Sequence, residues 1–123
     1  MSLMDVRIRT TDLDLTPAIN DYTEERLMAI RHLLGASEGN ERCEVELGRT
    51  TGHAKHGEVW FAEINLYVSD GGHFFARTTG ESVNAAIDMV KDEILAQLRK
   101  HKQQERGMLR RSGALLKRLL HRE

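Results

Sequence analysis

The chain has 123 residues, 40% of them hydrophobic and 30% charged, which suits one small core and leaves no room for an active-site cleft between two lobes. No run of about eighteen apolar residues and no apolar leader occurs, so a soluble cytoplasmic protein is expected, and the single cysteine, Cys43, excludes an internal disulfide. The net charge of -1 conceals a division: residues 1–98 carry 9 Lys+Arg against 17 Asp+Glu, whereas residues 99–123 carry 9 against 2.

In chain order, residues 5–10, DVRIRT, set Val6 and Ile8 against Arg7 and Arg9, the period of a half-buried strand. Thr16 ahead of Pro17 reads as an N-cap followed by proline in the first helical turn. The apolar positions Ile19, Tyr22, Leu27, Ile30, Leu33 and Leu34 carry that helix to about residue 34, where GASEGN ends it. A second strand, RCEVELGRT, points Cys43, Val45 and Leu47 inward, which makes Cys43 a buried apolar residue and not a redox group. After the loop TGHAKHG, the run EVWFAEINLYV forms a third strand with Trp60, Ala62, Ile64, Leu66 and Val68 on one face. The Asp-Gly step in SDGG predicts a hairpin to an antiparallel fourth strand, HFFARTT, with Phe74, Ala76 and Thr78 inward.

A second helix starts near residues 80–82 and keeps helical spacing through Val83, Ala86, Ile87, Val90, Ile94 and Leu98 to at least Lys102. The order is therefore β-α-β-β-β-α. A sheet with one apolar face needs both helices on that side, so the fold class is α+β, a two-layer sandwich of one four-stranded sheet and two helices. At 100° per residue from Val83, Lys91, Lys102, Arg106 and Arg99 fall at roughly 80°, 100°, 140° and 160°, a basic flank beside the core stripe. His101 returns to the stripe, at the edge of the core. Cations near a helix C-terminus also suit the helix dipole without any partner.

Residues 107–123, GMLRRSGALLKRLLHRE, gather Leu109, Leu115, Leu116, Leu119 and Leu120 on one face and Arg110, Arg111, Lys117, Arg118 and His121 on the other. Three fates fit such a segment: disorder until a partner is met, a place on an anionic membrane surface, or folding onto RNA with arginines on phosphates. A block of positive charge at one end is the footprint of binding to nucleic acid or to an anionic surface.

Catalytic and metal signatures are absent. His53 and His56 form an H-x-x-H pair and His73 lies at another turn, but a zinc site wants three or four ordered ligands and no H-E-x-x-H helix occurs. Asp12, Asp14 and Asp21 are accounted for by capping and the helix dipole. No nucleophile elbow and no phosphate-cradling glycine loop precedes a helix, so no enzyme, cofactor or metal is expected.

The stretches LTPAINDYTEERL at 15–27, the glycine pair at 71 and 72, AAID at 85–88 and QLRKHK at 97–102, together with the element order, resemble the ribosome hibernation-promoting factor family, also called ribosome-associated inhibitors. The similarity spans residues 6–102. It implies a fold similar to double-stranded-RNA-binding domains, a ribosome-binding domain over residues 1–106 and a basic tail over 107–123. It also implies the short form, which lacks a second, dimerising domain and is monomeric when free. The implied partners are the small ribosomal subunit and its 16S-type ribosomal RNA, bound in the cleft for messenger and transfer RNA so that translation is blocked by occlusion; no small-molecule substrate is implied.

By position, the resemblance carries over Arg26 on the first helix and Lys100, His101 and Lys102 on the second. Arg31, Lys91, Arg99, Arg106 and the tail residues Arg110, Arg111, Lys117 and Arg118 rest on charge placement alone. Of these, Arg31, Lys91, Arg99 and the basic tail are expected to make up for Asn20, Ala29, Glu93 and Ala96, which stand where relatives commonly carry basic residues. The alternatives are a general RNA-binding module or a membrane-surface adaptor acting through the basic tail, and charge reversal at Lys100 and Lys102 separates them.

Overall fold

Six elements follow the chain in the expected order: β1 (Asp5–Thr11), α1 (Pro17–Leu34), β2 (Arg42–Arg49), β3 (Trp60–Tyr67), β4 (His73–Gly80) and α2 (Val83–Leu120). The computed structural model describes residues 4–35, 40–50, 59–69 and 71–120, of which 108–120 as backbone alone. The loop histidines His53 and His56 and the Asp70 of the hairpin turn lie outside the described residues.

The sheet order is β1-β2-β3-β4. β1 runs parallel to β2, as the crossover through α1 requires, and the other two pairs are antiparallel. The register lines the inward residues into rows: Ile8, Val45, Ile64 and Ala76 face one another across all four strands, as do Val6, Cys43, Leu66 and Phe74. A slip of one residue in any strand would turn its row to solvent.

Both helix starts are capped, the first as its sequence suggests. The Thr16 hydroxyl accepts from the Ile19 amide at 3.2 Å with Pro17 beginning the first turn, and the Ser82 hydroxyl accepts from the Ala85 amide at 3.0 Å. α1 ends at Gly35, whose φ of 71° lies in the left-handed region and whose amide returns to the Arg31 carbonyl. Leu27 and Ile30 of α1 and Ile87, Val90, Ile94 and Leu98 of α2 close over Val45, Leu47, Ile64 and Leu66. Each such side chain contributes about 1.5–3 kcal/mol on leaving water.

Two details depart from simple alternation. Phe61 points away from the helices yet is only 3% exposed: it lies across Gly48, its β2 partner, and the Arg77 guanidinium covers the ring at 4.1 Å. Glycine is required at 48, because a Cβ there would stand 2.4 Å from the Thr11 carbonyl oxygen and 2.8 Å from the Phe61 ring. The second detail concerns length. Leu98 is the last core residue of α2 among those described, yet 22 residues of the helix follow it, about 33 Å of axis. The backbone passes through Gly107 without a break, so the boundary drawn there by composition is not marked in the secondary structure.

Candidate nucleic-acid interface

The seam between the helices explains why Arg26 sits where it does. Tyr22 and Arg26, one turn apart on α1, both face Asp88 on α2. The Tyr22 hydroxyl donates to one Asp88 oxygen at 2.6 Å and the Arg26 Nε to the other at 2.8 Å, while the Arg26 guanidinium lies 4.2 Å over the Tyr22 ring. Partial burial works against the Asp88 charge, but the Tyr22 and Arg26 hydrogen bonds and the positive charges of Arg26 and Lys91 outweigh it, so its carboxyl is held below the usual range. The same bonds raise the Arg26 pKa further. Arg26 is thus first a clamp between helices.

Part of the basic flank read from α2 is likewise covered or engaged within the fold. The Lys91 side chain is only 18% exposed and pairs with Asp92 at 2.8 Å. The Lys102 ammonium donates to the Leu33 carbonyl at the end of α1, where a cation meets the negative end of the helix dipole. His101 packs edge-on against Phe74 at 5.3 Å and meets Glu105 at 3.2 Å, at the core edge where its helical phase put it. The wheel gave these residues the right side of α2. It could not show that α1 covers much of that side.

What remains is a smaller, sharper set. Arg99, Lys100 and Arg106 are exposed and make no ion pair or hydrogen bond among the described residues. Arg31, two residues before the Leu33 carbonyl that Lys102 meets, pairs loosely with Glu24 at 3.7 Å, and its Nε is buried without a hydrogen-bond partner among the described residues. It borders a shallow pocket of about 280 Å³ with Met28, His32 and Gly35. Arg110, Arg111, Lys117 and Arg118 fall on the helical extension, where only the backbone is described.

The open face of the sheet contrasts with the helix end. Its charges are matched: Arg9 with Glu46 at 3.4 Å, Arg77 with Glu63 at 3.0 Å, Arg42 with Glu44 at 3.3 Å and Arg7 with Asp5 at 3.6 Å. One row also forms a stack. The Arg42 guanidinium lies 4.4 Å over the Tyr67 ring, and the His73 ring lies parallel to Tyr67 at 4.5 Å with its Nε2 2.9 Å from the Asn65 Oδ1. The stack follows from the register of three strands, which pairs Arg42 with Tyr67 and Tyr67 with His73, and sequence reasoning missed it.

A four-stranded sheet with two helices on one face, extended by the second helix, defines an α+β domain of the Protein Y N-terminal type. The Thermus thermophilus Protein Y N-terminal domain superposes with a TM-score of 0.61 at 24% identity, covering 82% of this chain and 99% of that one. A ribosomal subunit interface protein from Coxiella burnetii superposes at 0.62 with 17% identity, covering 81% and 99%. The chain belongs to the Sigma 54 modulation protein / S30EA ribosomal protein family, which it matches over residues 6–106. It is 32% identical over 103 residues to the ribosome hibernation promoting factor of Azotobacter vinelandii, covering 83% of this chain and 86% of that protein. Among the described residues no helix is long and apolar enough to cross a membrane.

Proposed function

We propose that this chain is a cytoplasmic ribosome hibernation factor that occupies the messenger and transfer RNA cleft of the small subunit and blocks translation by occlusion. It binds and does not catalyse. The observation that carries the reading is the contrast in charge pairing: the cations of the sheet face are matched to carboxylates, whereas Arg99, Lys100 and Arg106, beyond the last core residue of α2, have no partner among the described residues. Family membership and the Azotobacter relative supply the ribosomal context.

Affinity in this reading comes from phosphates. Each cation that meets a ribosomal RNA phosphate releases condensed counterions, so binding weakens steeply with salt. Orientation comes from the shape of the rigid helix pair, since phosphate contacts set register and carry no base information. Arg31 extends the surface along α1, while Arg26 and Lys102 act by fixing α1 against α2. Arg110, Arg111, Lys117 and Arg118 lengthen the basic surface along the same helix axis. The protein acts as a monomer on 16S-type ribosomal RNA.

Co-sedimentation with purified small and large subunits at two salt concentrations tests this. Retention on small subunits alone, weakened by salt and abolished in R99E/R106E, is the expected result. Equal retention of wild type and R99E/R106E would overturn the assignment of the helix end. Binding to anionic vesicles with no subunit binding would point instead to a membrane-surface adaptor.

A further inference from the structure

The stack on the open sheet face is unfinished. Arg42, Tyr67 and His73 stand side by side on β2, β3 and β4, and β4 is the last strand of the sheet. The His73 ring therefore has Tyr67 on one face and the sheet margin on the other, with Asn65 fixing its plane. Two residues on, Phe75 is on the same face, about 7 Å from His73 along the strand, and is 47% exposed. Helix packing does not account for either ring, since both point away from the core.

The flank of α2 that runs along this margin carries Glu93, Gln97 and, nearer its C-terminal end, Lys100. Gln97 donates from its Nε2 to the Phe75 carbonyl at 2.8 Å, which fixes that side of α2 beside the β4 edge. Lys100, three residues on and on the same flank, is exposed and without a partner among the described residues. The Gln97 bond also occupies an edge carbonyl that an added peptide strand would need, which disfavours pairing through the β4 backbone.

We propose that the β4 margin of the open face is a stacking site for unpaired nucleobases of single-stranded RNA, with His73 and Phe75 as the ring platform and Lys100 as a phosphate contact. The chemistry is that of single-strand binding surfaces, in which aromatic rings accept successive bases while a neighbouring cation follows the backbone. This rests on the ribosomal RNA reading and adds to it a second class of contact: the helix end meets phosphates, the sheet margin meets bases splayed from a loop or a strand end.

The test is fluorescence anisotropy of a labelled hexaadenylate RNA with wild type, H73A/F75A, H73F and K100A over a range of salt. The expected result is a loss of about tenfold in H73A/F75A with the salt slope unchanged, and near-wild-type binding in H73F, which keeps a ring. In K100A the salt slope falls by about 0.7. The replaced side chains are at the surface, and a melting curve for each variant checks that folding is kept. Unchanged affinity in H73A/F75A, or no hexamer binding by wild type, overturns the proposal. Small-subunit co-sedimentation run beside it separates the two readings: wild type that co-sediments while the ring variants leave the hexamer unaffected defeats the stacking site and leaves the ribosome reading standing, whereas wild type that fails to co-sediment defeats both.

Discussion

Asp88 does more for this fold than its surface position suggests, because it ties two α1 residues to α2 through both of its oxygens. A group whose native pKa is lowered stabilises the protein above its unfolded value of about 3.9 and loses that contribution as pH falls through the native value. Asp88→Asn should therefore lower the melting temperature by a few degrees near pH 6, with the gap to wild type closing as pH falls below the ordinary carboxylate range; thermal melts at several pH values check this. A gap independent of pH would assign the loss to packing. Cys43 shows the opposite case. Burial pushes its thiol up to about 12, against a smaller opposing effect of Arg31, and the residue is fully shielded in the core. Native protein should react with a thiol reagent only through opening, and the reaction should become fast in urea.

At the level of elements, β2 and α2 each depend on one position whose identity follows from its neighbour. Gly48→Ala forces a Cβ against the Thr11 backbone oxygen and the Phe61 ring, and of these only the ring can yield. A cost of about 1–3 kcal/mol is expected, read from urea denaturation, and Phe61→Leu in the same chain should recover part of it by making space. In α2, Ile94 is completely buried, and Ile94→Ala should cost about 2–5 kcal/mol through lost transfer energy and a residual cavity. Lys102 belongs to this scale as well as to binding, since it caps α1. Lys102→Ala should therefore reduce stability as well as any subunit affinity, whereas Lys100→Ala should leave stability unchanged.

For the molecule as a whole, the uneven charge along the chain matters more than its net value of -1. Eight of the 17 acidic residues in the first 98 positions form ion pairs, whereas Arg99, Lys100 and Arg106 form none among the described residues. Removing Arg99 and Arg106 should lower the slope of log affinity against log salt for small-subunit binding by about 0.7 to 0.9 per residue. Replacing Lys91, which is already paired and mostly covered, should change that slope little.

Element order, caps and inward rows were legible in the sequence because they depend on local period: alternation every second residue in β1 to β4, helical spacing in α1 and α2, Thr16 and Pro17 at one start and Ser82 near the other. The sign and place of the basic block were legible too, since charge is a property of composition. Tertiary packing decided which basic residues are free. Helical phase gives a direction from one axis, and whether that direction meets solvent or a second helix depends on where the second helix lies, which is why Arg26 and Lys102 turned out to be engaged in the seam and Lys91 mostly covered, while Arg99, Lys100 and Arg106 remained open. The stack of Arg42, Tyr67 and His73 likewise required the register of three strands, a pairing that no single strand encodes.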